Sequence, residues 1–189
     1  MRVISGSARN RKLKVPAGQL VRPTSDRVKE ALFNIISTRV EGSYILDLFA
    51  GSGSIGIEAL SRGADKAVFI ESNHRHASII EENLKTCGFD LDVRLIRTKV
   101  SDGLRILYAE GVAFDLIFLD PPYMKDSVVA TLADISRYHL LKENGLVIVE
   151  SSKRDSMPQI VEDLQLLRVE KYGDTTLSFY GKLKYRSDY

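Results

Sequence analysis

The sequence predicts an α/β fold, an open and mostly parallel sheet with helices on both faces, closed by an antiparallel hairpin. Three observations predict it. Short apolar runs alternate with helix-length segments from Tyr44 to Val149. Such four-residue runs suit strands buried on both faces, and strand–helix alternation gives a parallel sheet. A glycine-rich turn, Gly51-Ser52-Gly53-Ser54-Ile55-Gly56, joins the first run to the first such helix. After Pro158 the order changes to two adjacent strand-like runs separated by Tyr172-Gly173-Asp174, a turn signal.

The elements follow in order. Arg2 to Ser5 and Leu13 to Val15 predict two short strands, a small basic β-hairpin, with Pro16, Gly18 and Pro23 in the linker after it. Thr24-Ser25-Asp26 offers N-caps for a helix whose Val28, Ala31, Leu32, Ile35 and Ile36 share one face. Arg27 and Lys29 fall on its polar face. Strands are expected at Tyr44–Leu48, Ala67–Ile70, Val93–Ile96, Leu116–Leu119 and Leu146–Val149. Helices are expected at Ile55–Arg62, His76–Thr86, Gly103–Glu110 and Val128–Leu141, with Gly63 and Gly88 ending the first two. A short helix is expected at Gln159–Leu164, then strands at Leu166–Tyr172 and Thr176–Leu183. The domain reading is a basic extension over residues 1–22 and one α/β domain over 23–189.

Composition bounds the function. A chain of 189 residues, 44% hydrophobic and 28% charged, is ordinary for one globular domain. No apolar run approaches a membrane span, and the N-terminus has no signal-peptide core. A single cysteine, Cys87, leaves no internal disulfide and no thiol cluster for zinc. A reducing cytoplasm is the expected compartment. His74 and His76 suggest no metal site by their spacing, and Ser52 and Ser54 have no histidine placed to activate them. Nothing argues for a dimer, so a monomer is expected. Residues 1–25 carry Arg2, Arg9, Arg11, Lys12, Lys14 and Arg22 and no acid. The overall +2 therefore leaves −4 on the rest of the chain. A basic arm on a mildly acidic body points to a polyanion.

Two motifs carry chemistry. In Asp47-Leu48-Phe49-Ala50-Gly51-Ser52-Gly53-Ser54-Ile55-Gly56, a G-x-G-x-x-G follows a strand and opens a helix, where backbone can approach a ligand closely. Glu71 ends the next strand, placed to accept hydrogen bonds from a ribose diol. That constellation serves either NAD or S-adenosylmethionine (SAM). Asp47 favours SAM, because a carboxylate there repels a pyrophosphate and suits a sulfonium or ammonium. Leu119-Asp120-Pro121-Pro122-Tyr123 ends the fourth strand. Ligands of open α/β sheets sit beyond the carboxyl ends of the strands. The tandem proline removes two donors and leaves acceptors, the Asp120 carboxylate and the Pro121 carbonyl, beside the ring of Tyr123. An exocyclic amino group on a nucleobase needs this set: acceptors on its N–H bonds aim its lone pair, and the ring stacks on the base.

Asp-Pro-Pro-Tyr resembles motif IV of the amino-methylating nucleic-acid methyltransferases. The stretch Arg22 to Asn34, the opening Arg2-Val3-Ile4-Ser5-Gly6 and Arg11-Lys12-Leu13, the block Glu58 to Gly63 and Tyr172-Gly173-Asp174-Thr175 resemble the RsmD-type 16S rRNA (guanine-N2)-methyltransferases. The resemblance spans nearly the whole chain. It implies the Rossmann-like class I SAM-dependent fold with seven strands. It also implies transfer to the 2-amino group of a guanine in 16S rRNA, within an assembling small ribosomal subunit, with S-adenosylhomocysteine as product and no metal. By that resemblance Asp120, Pro121, Pro122 and Tyr123 form the amino-group site. Asp47, Phe49, Ala50, Gly51, Ser52, Gly53 and Glu71 hold SAM, with Arg27 at its entrance and Asp102 meeting the adenine. Arg2, Arg9, Arg11, Lys12 and Lys14 grip RNA phosphates. The stretch Arg97 to Asp102 departs from the family's polar run after the third strand. The alternatives are a DNA or protein amino methyltransferase, a nucleotide-linked oxidoreductase, and an RNA-binding assembly factor without catalysis.

Overall fold

The structure is a computed structural model and describes residues 1–16, 25–89, 91–121 and 125–183. Eight strands form one sheet. They are β1 (Tyr44–Leu48), β2 (Lys66–Ile70), β3 (Val93–Ile96), β4 (Phe114–Leu119), β5 (Leu141–Ser152), β6 (Ile160–Val161), β7 (Leu164–Tyr172) and β8 (Thr175–Lys182). The spatial order is β3-β2-β1-β4-β5-β8-β7-β6. The first five are parallel, and β8 returns antiparallel to β5 and pairs with β7. The predicted sheet is thus present, with the two-residue β6 added at its edge.

Helices cover both faces. On one side lie α1 (Asp26–Ile35), α2 (Ser54–Ser61) and α3 (His74–Cys87), packed on Ile45, Phe69, Phe118 and Ile148. On the other lie α4 (Val100–Ala109) and α5 (Lys125–Arg137), packed on Leu46, Ile70, Ile117 and Val149. Alternate residues of each strand feed the two cores, which is why the strands read as unbroken apolar runs. Caps set the helix starts. Ser25 Oγ accepts from Val28 N at 3.3 Å, and Asn73 Oδ1 accepts from Arg75 N at 2.9 Å. Gly88, at φ 78°, closes α3. No described helix is long and apolar enough to cross a membrane.

Four expectations need correction. The helix predicted at Gln159–Leu164 is β6 and a turn. A six-residue helix is marginal alone, Ile160 and Val161 are β-branched, and Glu162 turns left-handed at φ 53° to send the chain into β7. The helix predicted to reach Leu141 ends at Arg137, because His139 is left-handed (φ 51°) and Leu141 already pairs with Phe114. The N-terminal strands are a single antiparallel bridge, Arg2 to Lys12, flanked by Val3 N→Arg11 O (2.9 Å) and Leu13 N→Met1 O (3.1 Å). Lys29, placed on a polar face by periodicity, is fully buried and paired with Glu58.

That last pair anchors the arm. Glu58 on α2 is fully buried and accepts from Ile4 N (2.8 Å), Ser5 N (3.0 Å) and Arg62 Nε (2.9 Å), while Lys29 Nζ lies at 3.2 Å and also donates to Arg2 O at 2.7 Å. Both carboxylate oxygens are therefore satisfied by charge and backbone, as a buried carboxylate requires. Burial pushes the Lys29 amine down, and Glu58 opposes that. Gly6, at φ 84°, lies so close to α2 that a Cβ would stand 1.7 Å from the Ser61 carbonyl oxygen. Val3, Ala8 and Leu13 complete the seal by entering the main core.

Candidate active site

The strand order reverses between β1 and β4, and a crevice opens there beyond the carboxyl ends of the strands. It is a cavity of about 660 Å3. Its walls come from successive strand ends. Asp47 lies near the end of β1, Phe49, Ala50, Gly51 and Ser52 follow it, and Glu71, Ser72 and Asn73 follow β2. Thr98, Lys99 and Val100 follow β3, Asp120 and Pro121 follow β4, and Glu150 to Ser152 end β5. Asp174 and Thr175, from the β7–β8 turn, and Met1, Val15 and Pro16, from the arm, close the rim.

The glycine loop is built by backbone geometry and by two carboxylates. Phe49, Gly51 and Gly53 all have positive φ, 59°, 57° and 74°. Glu71 Oε2 accepts from Gly51 N at 2.8 Å and its Oε1 from Asn73 N at 2.8 Å, so this side chain ties the loop to the end of β2. Asp47 Oδ2 accepts from Gly56 N at 3.0 Å, fixing the first turn of α2. A Cβ on Gly56 would come within 2.3 Å of the Phe69 ring, so only glycine lets the helix pack this tightly on β2.

The electrostatics of the cavity are one-sided. Asp47, Glu71, Asp120, Glu150, Asp155 and Asp174 line it, against Lys99 and His76. Burial pushes the Asp47 carboxyl up to about 8, opposed by the Gly56 N–H and reinforced by Glu71. Burial, then the neighbouring Glu150 and Asp47, hold Asp120 well above the usual carboxylate range. An incoming cation relieves this crowding, whereas a pyrophosphate aggravates it. The lining therefore fits the net-cationic SAM and disfavours a dinucleotide. Among the described residues no group of His, Cys, Asp or Glu could hold a metal ion.

Eight of the predicted site residues meet in this cavity: Asp47, Phe49, Ala50, Gly51, Ser52, Glu71, Asp120 and Pro121. Gly53 stands behind the loop, against Ile80. Asp102 is not brought to the cavity. It is exposed in the first turn of α4, 3.5 Å from Arg105, because α4 begins at Val100 and carries Asp102 around the helix. After β3 the cavity wall is Thr98 to Val100. Arg27 is exposed on α1 and is not part of the lining. Pro122 and Tyr123 lie outside the described residues.

Arg2, Arg9, Arg11, Lys12 and Lys14 are all exposed. Arg2 faces Asp26 at 3.9 Å, and Lys14 pairs with Glu82. Arg9, Arg11 and Lys12 thus present the arm's outward charge. Sequence reasoning missed Glu150, which reads as one more residue of a strand, and Asn83, which reads as a polar position on α3. Asn83 is buried. Its Oδ1 accepts from Lys14 N (2.8 Å), and its Nδ2 donates to Lys14 O (3.0 Å) and Ser52 O (2.9 Å), joining the arm to the glycine loop.

The chain is similar to known proteins over nearly its whole length. The model of the family described as "Conserved hypothetical protein 95" matches residues 1–181. YlbH of Bacillus subtilis, named as a candidate rRNA methyltransferase, is 40% identical over 182 residues, covering 96% of this chain and 99% of that protein. The Escherichia coli protein named ribosomal RNA small subunit methyltransferase D is 33% identical over 182 residues, 96% of this chain and 90% of that one. The solved structure of yhhF from Escherichia coli superposes with a TM-score of 0.85 at 32% identity, covering 98% of this chain and 99% of that chain. Fold, site and sequence agree, and the chain belongs to this family, the RsmD-type methyltransferases.

Proposed function

We propose that this protein transfers the methyl group of SAM to the exocyclic 2-amino group of a guanine in 16S rRNA, within an assembling small ribosomal subunit. One observation carries the reading: the Asp120 and Pro121 acceptors open into the same acidic cavity as the Asp47–Ser52 loop and Glu71. The name of the Escherichia coli relative supports small-subunit rRNA as the substrate class.

In this reading the loop and Glu71 hold SAM. When bound, SAM supplies an electrophilic methyl on a sulfonium centre. The chain's own residues do the rest. The Asp47 carboxyl, kept near neutrality by burial, ionises against the cofactor's positive charge. Asp120 and the Pro121 carbonyl accept the amino N–H bonds, orienting the nitrogen lone pair, and Asp120 is the acceptor for the proton released afterwards. Pro122 and Tyr123 complete the amino-group site. The rate gain comes from orientation in a fixed polar environment. Residues 1–22 serve as the RNA-contacting extension of a methyltransferase domain over 23–189, with Arg9, Arg11 and Lys12 meeting phosphates. The enzyme acts as a monomer in the cytoplasm.

The test uses labelled SAM and small ribosomal subunits from cells lacking the endogenous activity, with the rRNA digested to nucleosides afterwards. N2-methylguanosine is the expected product. A different methylated base overturns the guanine assignment, and absence of label from the rRNA overturns the RNA assignment.

A further inference from the structure

The cavity has an order that the strand order imposes. Glu71 and the glycine loop belong to β2 and β1, where the proposed cofactor lies, and Asp120 ends β4, where the amino group is methylated. The next strand outward is β5, which contributes Glu150, Ser151 and Ser152, and Glu150 is the acid among them. The register places the two acids side by side. Leu119 pairs with Val149, so Asp120 and Glu150 are the next positions on neighbouring parallel strands, about 4.8 Å apart in chain spacing. They also share a face. Phe118 is the register partner of both Asp47 and Ile148, and alternation puts Asp120 and Glu150 on the same side two residues later. Glu150 is buried, and its charge is one of the causes that raise the Asp120 carboxyl.

We propose that Glu150 selects the base, its carboxylate accepting the N1–H of guanine while Asp120 and the Pro121 carbonyl engage the neighbouring 2-amino group. This rests on the guanine reading above and names the residue that enforces it. An ionised carboxylate is an acceptor only. Enzymes that act on an extruded base read its Watson–Crick edge. Guanine presents two adjacent donors there, the 2-amino group and N1–H. Adenine and cytosine each present an amino group beside a ring nitrogen that is itself an acceptor. An ionised Glu150 beside the Asp120 and Pro121 acceptors matches the first edge, and it repels the ring acceptor of the other two. The carboxylate at N1–H also pushes electron density toward the attacking nitrogen.

The test compares guanine with 2-aminopurine, which keeps the 2-amino group but carries an acceptor at N1. Small-subunit particles reconstituted with either base at the methylated position are incubated with wild-type protein or Glu150→Gln. The readout is the ratio of kcat/KM for the two bases, which cancels any loss of active protein. Wild type is expected to prefer guanine strongly. Glu150→Gln, whose amide can donate to N1 of 2-aminopurine, is expected to reduce that preference by about 10- to 100-fold, with SAM affinity retained within about twofold by the same reasoning that Glu150 lies beyond the cofactor's strands. An unchanged ratio in the variant, with a guanine-active wild type, overturns the role of Glu150 alone. Absence of label on guanine with wild type overturns the parent reading and this inference with it.

Discussion

Replacing Asp47 with asparagine keeps an oxygen to accept the Gly56 N–H and removes the only titratable group on that side chain. The magnitude follows from burial. In the folded protein the carboxyl titrates near 8, against 3.8 for an unburied one. The native state therefore holds the proton more tightly than the unfolded chain. Ionising Asp47 costs folding nothing below the unfolded value, and the cost grows as pH rises from there until it levels off above the folded value. The full span amounts to about 6 kcal/mol, and the part that develops between about pH 6 and about pH 9 is roughly 3 kcal/mol. Asparagine has no such penalty. Wild type is thus expected to lose stability relative to Asp47→Asn as the solution turns alkaline, by about 6–12 °C in Tm for a chain of this size. Parallel thermal melts of the two proteins across that range measure the difference, and other titrating groups cancel between them. Adding SAM is expected to narrow the gap for wild type, because a nearby cation lets Asp47 ionise without the cost, and binding then releases a proton. Parallel Tm profiles for the two proteins, with no divergence at high pH, refute the reasoning.

Three further outcomes are expected. Asp120→Ala abolishes methyl transfer and leaves SAM affinity nearly unchanged by calorimetry, and loss of cofactor binding instead assigns Asp120 to the wrong ligand. Combined replacement of Arg9, Arg11 and Lys12 by alanine weakens RNA binding and flattens its dependence on salt, by roughly 0.7 in log–log slope per lost phosphate contact. An unchanged slope in a filter-binding titration removes the arm from the RNA interface. Asn83→Ala breaks three hydrogen bonds, the one to Ser52 O fully buried and the two to Lys14 partly so, and removes the side-chain partners of those backbone groups. It is expected to destabilise the protein by about 2–4 kcal/mol in denaturant melts and to weaken SAM and RNA binding together; loss of one without the other argues that the two elements are independent.

Much of the sheet was legible because its parallel strands are short, apolar on both faces and punctuated by glycine. Ile45 to Leu48 and Leu116 to Leu119 could be nothing else at that spacing. The site was legible where chemistry needs rare residues at a strand end, as at Asp120 and Asp47. Four kinds of information were not. Short segments such as Gln159–Leu164 take their conformation from the strand they pair with, and no local pattern carries that. Lys29 looked solvated because periodicity counts amines as polar, while its partner Glu58 is remote in sequence and meets it only in the fold. Asp102 is separated from Lys99 by one helical turn, and a shift that small decides between cavity wall and solvent. Glu150 gains its meaning from the strand register beside Asp120, which is a property of pairing and not of either strand alone.

The stitching of the arm has a consequence for how recognition can change in these proteins. Ile4, Ser5 and Lys14 are tied by backbone bonds to Glu58 and Asn83, and Asn83 holds the glycine loop as well. The arm is therefore not a cartridge that can be unplugged and exchanged. Trimming it away exposes Lys29 and Glu58 and removes Met1, Val15 and Pro16 from the cavity rim, so a shortened protein is expected to lose stability and to leave the cavity more open. Among the described residues of the arm, the tip around Arg9, Arg11 and Lys12 is free of these ties. Charged side chains at the tip can be exchanged one at a time while the root of the arm stays fixed.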